Sequence, residues 1–465
     1  MSKKRGDFRL SRRRLICALG AAAGAGLTGC GTSANGQGQP PPPPPAQITD
    51  GYTDRQSYRP GDLVTVFLNT EFPQIATVRV FDFTGTQLAY EFPANLATQT
   101  PVGLTPWETG FGYEPSGSFI LPDLPSGVYL IEQVIPLIVK APLSQAADFV
   151  IVYPTNTCAA YNDAGGRSLY SAPVKATMVS FERPAGTANV AFHEAFLRWL
   201  GLLDLPYSIK FVADIDLEDY AEISGSKVLM LIGHSEYWTR TAREHFDEFV
   251  LGGGNALILA GNTMWWQVRY SKDRSQMICY KGVPDPIADP LLRTINWPAP
   301  SLEYSVLRSI GVDFIHGGFG IGYPNAGGFI VLAPKSPVFD LVEVHAGDTI
   351  FIPTVEYDGT LLLNSPVTAG MPRLNLSALD AYRAEIIGYQ DCFRNDADTG
   401  AGSVANSVGT WIVFQRTATS GVVMNGASTN WCSYRGVQGA DGVRVRRIIL
   451  NMFDILVNKK SAFSS

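Results

Sequence analysis

Residues 227–260 read KVLMLIGHSEYWTRTAREHFDEFVLGGGNALILA, and this stretch decides the fold. Lys227–Ile232 is a short apolar run of the kind that forms a strand buried on both faces. Thr239–Leu251 is amphipathic with helical spacing. Thr241 with Glu244 has the spacing of a capping box, and Gly252-Gly253-Gly254 stops the helix. Ala256–Ala260 is the next strand. Strand, helix, glycine stop and strand make a right-handed crossover in a parallel sheet.

Outward from this unit the same rhythm holds. Phe149–Tyr153 and Ile209–Val212 read as strands and Asn189–Leu202 as a helix. Residues 300–465 mix strand and loop, with a late strand at Val422–Met424 and a closing helix at Val443–Val457. Residues 148–465 are therefore assigned to an α/β domain. Ahead of it, residues 48–147 carry short β-rich runs broken by Gly, Pro and Asp: Leu63–Leu68, Ala76–Phe81, Ser118–Leu121 and Val128–Gln133. That spacing predicts an immunoglobulin-like β-sandwich.

The N-terminus reads as an address. Residues 1–14 carry seven basic residues against Asp7, and Ser11 to Ile16 (SRRRLI) has the form of a twin-arginine motif. An uncharged run from Leu15 to Gly29 is too short to span a bilayer well. Leu27-Thr28-Gly29-Cys30 matches a lipoprotein cleavage box. Residues 1–29 are thus expected to be a signal peptide, with Cys30 lipidated and holding the protein to a membrane, facing the periplasm or the cell exterior. Residues 30–47 (CGTSANGQGQPPPPPPAQ) follow as a linker stiffened by six prolines. The whole chain carries a net charge of −6, so removing the basic leader leaves a body near −12. Such a body excludes nucleic acid as a partner and leaves lipid on Cys30 as the membrane contact. Cys158, Cys279, Cys392 and Cys432 are widely spaced with no zinc pattern. Disulfides and free buried thiols both remain open.

Ligands of doubly wound sheets bind beyond the carboxyl ends of the strands. Four strand ends here carry polar residues: Tyr161-Asn162-Asp163, Gly233-His234-Ser235-Glu236, Gly261-Asn262-Thr263 and Asn425 to Thr429. His234 and Glu236, two apart, face one way if the strand continues, and an imidazole beside a carboxylate suits metal binding with proton transfer. A structural strand-end pair is the alternative. His193, His245, His316 and His345 lack ligand spacing and read as structural. No GxSxG elbow, HExxH or Walker loop is present.

These motifs resemble the N,N-dimethylformamidase large (beta) subunit family. Tyr161 to Tyr170 (YNDAGGRSLY) fits its YN-x-x-GG-x-SLY segment, Ser180 to Pro184 its SxxRP element, and Gly233 to Trp238 (GHSEYW) its GHDEYW element. Gly261-Asn262-Thr263, Trp266 to Arg269, Cys279-Tyr280-Lys281 and Asn425 to Cys432 (NGASTNWC) also fit. The resemblance runs from about 48 to 459. It implies a sandwich joined to an α/β domain akin to class I glutamine amidotransferases. It also implies a mononuclear iron held by two tyrosines and a glutamate, and hydrolysis of an N-substituted amide. Glu236 and Tyr161 match family ligands, and Tyr129 in SGVY is taken as the second tyrosine. His234 and Asn262, with Glu236, are the catalytic candidates. A small partner subunit or a homo-oligomer is implied as well. Two departures bear on activity: Ala164 stands where many relatives carry tryptophan, and Gln390 where they often carry an acid. The alternative reading is a non-catalytic surface lipoprotein that binds a glycan or a protein partner through the same fold.

Overall fold

The computed structural model describes residues 47–186, 189–364, 371–395 and 403–464. The leader, Cys30 and the proline run lie outside the described residues. Within the described residues no helix is long and apolar enough to cross a membrane.

Residues 48–139 form two facing sheets. Ile48–Thr53, Leu63–Thr70 and Gly117–Ile120 make one. Ser57–Tyr58, Gln74–Asp82, Leu88–Leu96, Gly127–Ile131 and Ile135–Val139 make the other. In Leu63–Thr70 the residues Val64, Val66 and Leu68 are fully buried while their neighbours are not. This period-two burial sends one face of each strand into a shared core with Val78, Val80 and Phe92.

The second body is built on one large sheet. In chain order its main elements are β1 (Ala147–Tyr153), α1 (Thr155–Tyr161), α2 (Glu194–Gly201), β2 (Ile209–Ala213), β3 (Ser226–His234), α3 (Arg240–Leu251), β4 (Asn255–Gly261), β5 (Asp313–Gly320), β6 (Glu356–Gly359), β7 (Arg383–Asn395), β8 (Ser403–Gln415), β9 (Val422–Asn425) and α4 (Gly442–Val457). The strand order is β2-β1-β3-β4-β9-β8-β7-β5-β6. The first five strands are parallel and the rest antiparallel. The architecture is mixed α/β, richer in strand than in helix.

The apolar runs of β1, β3 and β4 follow from covering both faces. Phe149, Ile151, Met230 and Leu257 pack under Ile448, Met452 and Phe453 of α4. Val150, Leu229 and Ile258 pack on the other face against Phe246, Phe249 and Val250 of α3. The antiparallel half folds back over the strand ends. Asp358 N–H donates to Ala427 O (3.0 Å), and Thr429 N–H donates to Glu356 O (3.2 Å). A Cβ on Gly261 would lie 2.4 Å from Thr429 N, so glycine is what lets this loop close on the end of β4.

Two local readings change. The helix expected over 189–202 is a single 3-10 turn, Val190–Phe192, broken at His193 before α2 begins. Asn189 sits at φ +67°, outside helical space, and its side chain is committed to His234. The cap of α3 is Thr239, not Thr241: its Oγ1 accepts the Ala242 N–H at 3.1 Å. Thr239→Ala is therefore expected to lower stability by about 1 kcal/mol. Thr241→Ala should change little, and urea unfolding of the two variants checks the assignment.

Candidate active site

The strand β3 delivers the first residue. Gly233 at φ +71° turns the chain so that His234 leaves the strand buried, 3% exposed. A Cβ at Gly233 would meet Phe192 O at 3.1 Å, so the turn is packed as well as bent. Glu236 lies beyond the end of β3, yet its carboxylate still meets His234, with Nε2 to Oε2 at 3.4 Å. The pair therefore converges through a turn, not through two positions of one strand.

Glu236 is 1% exposed and is the hub. Its backbone N–H donates to Thr157 Oγ1 of α1 at 2.9 Å. Its carboxylate accepts the Tyr161 hydroxyl at 2.9 Å and the Tyr170 hydroxyl at 2.8 Å to both oxygens. Tyr161 is the last residue of α1. The chain then doubles back, with Leu169 N–H donating to Ala160 O at 3.0 Å, and Tyr170 stacks on Tyr161 with ring centroids 3.9 Å apart. A proton ladder continues outward. The Tyr237 hydroxyl donates to the Tyr170 hydroxyl (2.8 Å), and Lys281 Nζ to the Tyr237 hydroxyl (3.3 Å). The same ammonium lies 3.4 Å over the Tyr170 ring.

On the other side, Asn189 Oδ1 lies 2.9 Å from His234 Nδ1. A carbonyl oxygen can only accept, so Nδ1 carries the proton. That leaves Nε2 facing both Glu236 and Glu356, the latter at 3.2 Å from β6. Asp358 on the same strand is fully buried, and its carboxylate accepts the Thr263 N–H at 3.1 Å. Asn262 follows the end of β4 at φ +49°, 4% exposed, with Oδ1 buried and unbonded among the described residues.

The electrostatics show an excess of buried acid. His234 and Lys281 face the carboxylates of Glu236, Glu356 and Asp358. Burial works against charge on His234, but Glu356, Glu236 and Asp358 outweigh it and hold its pKa above the usual value. Burial raises the Glu236 pKa despite Lys281 and His234, and pushes Asp358 up to about 8. Burial, with the Glu236 charge behind it, drives Tyr161 and Tyr170 well above the ordinary phenol range. Among the described residues no group of three His, Cys, Asp or Glu is placed to hold a metal ion. The oxygens that do converge belong to two phenols and one carboxylate.

A family model described as N,N-dimethylformamidase beta subunit-like, C-terminal, matches residues 78–435. The chain belongs to this family. No curated protein matches the chain. A putative ThuA-like protein from Bacteroides uniformis aligns at 12% identity over 70% of this chain and 97% of its own, with a TM-score of 0.31. A cycloisomaltooligosaccharide glucanotransferase from Paenibacillus aligns at 11% identity over 50% of this chain and 34% of its own, with a TM-score of 0.14. Neither structural likeness carries an argument about function.

Within the dimethylformamidase-like frame one assignment changes. Tyr129 does not reach Glu236. It lies on Gly127–Ile131 in the sandwich core, and its hydroxyl donates to Pro125 O at 2.8 Å. The second phenol on Glu236 is Tyr170, which closes the same YN-x-x-GG-x-SLY segment that holds Tyr161. Glu356 and Asp358 lie in no motif read from the sequence, and Tyr237 and Lys281, although inside matched motifs, were given no role there. Ala164 packs near Tyr52, Phe111 and Tyr113, away from the Glu236 hub. Gln390 sits on β7 with its amide toward Asp391 O. The second carboxylate beside His234 comes from Glu356 instead. The cysteines, left open by spacing, are all free thiols: Cys279, Cys392 and Cys432 are buried and Cys158 partly so.

Proposed function

We propose that the chain is an exported, lipid-anchored hydrolase of N-substituted amides, with one iron ion held by Tyr161, Tyr170 and Glu236. We read its α/β body as akin to that of class I glutamine amidotransferases. The observation that carries the site is the meeting of two phenol oxygens on one buried carboxylate, with Glu356 and Asp358 as further acids around His234. Phenolate and carboxylate are hard donors that suit a hard, oxidised metal. The unbonded Asn262 Oδ1, and the His234 Nε2 and Glu356 Oε2 atoms that meet only each other and Glu236, are polar groups available to further ligands and substrate.

Bound there, iron would polarise the amide carbonyl and lower the pKa of a neighbouring water. The rest falls to this chain's own groups. Glu356 lies where it can accept a proton from water. His234, fixed by Asn189, presents Nε2 to pass that proton to the leaving nitrogen, which must be protonated before the C–N bond breaks. Lys281 and Tyr237 feed hydrogen bonds toward the Tyr170 oxygen and favour its negative charge. Asn262 offers an amide to orient the substrate carbonyl or amine.

The test is metal analysis of the purified protein alongside turnover of a series of N-alkylated formamides and acetamides. The expected result is one iron per chain, a visible phenolate-to-iron absorption band and release of free amine. A chain that binds no iron and cleaves none of these amides overturns the proposal and leaves a binding role for the same fold.

A further inference from the structure

A small recess opens on the far side of the strand that carries Tyr237. Tyr237–Thr239 pairs in parallel with Trp266–Tyr270. Along the second strand, Trp266 and Val268 pack with Tyr237 toward the hub, and alternation turns Gln267 and Arg269 the other way. There they meet the N-terminus of α3 and the turn after Tyr270, around a recess of about 200 Å³. Thr239 Oγ1 caps the Ala242 N–H. The N–H groups of Arg240 and Thr241, the first two of the helix, have no carbonyl behind them within it and bring a partial positive charge to the recess.

Four basic side chains line the recess: Arg240, Arg269, Lys272 and Arg274. Two are held. Arg240 donates to Leu291 O and Leu302 O, and Arg269 to Asp285 and Leu292 O. Lys272 and Arg274 are exposed, and their side chains make no hydrogen bond or ion pair among the described residues. They stand on a turn fixed by Asp273, whose Oδ1 accepts the Ser271 hydroxyl at 2.6 Å and the Ser275 N–H at 3.2 Å. Among the described residues the one acid in the lining is Glu218, and its carboxylate accepts the Thr239 hydroxyl. So much positive charge is gathered here on a chain whose net charge is −6.

Gln267 gives an independent sign of a ligand. It is 1% exposed, and its Nε2 donates to Leu291 O and Arg293 O, both at 2.8 Å. Those two carbonyls can only accept, so they fix which end of the amide is the oxygen. That Oε1 is buried with no partner among the described residues. A buried acceptor in this position calls for a donor.

We infer that this recess binds a phosphate anion that keeps a protonated oxygen. Its bare oxygens meet the α3 N-terminus, Lys272 and Arg274. Its O–H is the donor that Gln267 Oε1 lacks. Sulfate has the same shape but no O–H at neutral pH, and would set a lone pair against Oε1. The recess therefore selects phosphate over sulfate. This inference does not depend on the iron reading.

The experiment is calorimetric titration of the full chain with inorganic phosphate and with sulfate in low-salt buffer. Phosphate is expected to bind at one site, and roughly tenfold tighter than sulfate, the worth of one hydrogen bond to a charged group. Gln267→Leu should bring the two ions close to equal affinity. Lys272→Ala with Arg274→Ala changes only an exposed turn, and should weaken both ions by roughly fivefold to tenfold. Glu236→Gln should leave phosphate binding unchanged, which separates this site from the hub. Four results each overturn the inference: no saturable binding of phosphate at millimolar concentration, sulfate bound as tightly as phosphate by the parent chain, the preference for phosphate retained in a folded Gln267→Leu variant, or affinity lost in Glu236→Gln but retained in the Lys272 and Arg274 double variant.

Discussion

Glu236→Gln is expected to yield a folded chain without iron, and to cut amide hydrolysis roughly a thousandfold, since a bound Lewis acid is worth several kcal/mol and each 1.36 kcal/mol is tenfold. Glutamine keeps the size of the side chain and one oxygen for a phenol, so the packing around Thr157 and the two tyrosine rings survives. It removes the charge on which both tyrosine hydroxyls converge. The tyrosines then distinguish the structural assignment from the one drawn from the motifs. Tyr170→Phe should weaken iron binding and shift or bleach the phenolate band, because its oxygen sits 2.8 Å from both Glu236 oxygens. Tyr129→Phe should keep iron, band and activity, and lose only its bond to Pro125 O, about 1 kcal/mol of stability. Iron lost in Tyr129→Phe but retained in Tyr170→Phe would return the ligand to the sandwich.

That contrast shows what kind of information the sequence held. The pair Tyr161 and Glu236 was legible because each lies at a strand or helix end within a long motif, and strand ends of a parallel sheet share one edge. Tyr170 was in plain view at the end of the same motif. Finding it required knowing that the chain reverses after Gly165-Gly166 and lays Leu169 back on Ala160, which is tertiary geometry. Glu356 and Asp358 were not legible at all. They sit on a strand that is last in the sheet order, and reach His234 only because the antiparallel half folds over the ends of β4 and β9. Pattern reading places residues on elements; it does not say how far a sheet curls.

The same limit explains the local errors. The segment 189–202 has helical composition, and propensity alone continues the helix through it. The fold instead spends the left-handed Asn189 on orienting His234, and His193 at φ −136° interrupts the helical path before α2 begins. The buried strands, in contrast, were read well because burial on both faces leaves almost no freedom in composition: any polar residue inside β3 or β4 would face α3 or α4 without a partner.

A buried acid next to α1 gives the second large effect. Asp214→Asn is expected to stabilise the chain by about 4 kcal/mol at pH 8 and by nothing measurable at pH 3, since each unit of pKa shift is worth 1.36 kcal/mol. Asp214 is 3% exposed, accepts the Asn156 N–H at 2.8 Å, and has no cation partner among the described ion pairs. Burial raises its pKa from 3.8 to about 7, against those hydrogen bonds and helped by the nearby Asp216 charge. The folded chain therefore holds this proton where the unfolded chain has released it. The associated stability is complete below pH 3.8 and is lost as pH rises to about 7. Asparagine keeps an oxygen for the Asn156 N–H and has no charge to desolvate. Other titrating groups are common to both proteins and cancel in the difference. Thermal unfolding of the two at pH 3 and pH 8 should show a higher Tm for the variant only at pH 8. A variant less stable than the parent at pH 8 would mean that the ionised Asp214 is stabilised in the fold, and that the acid beside α1 is held by a positive group.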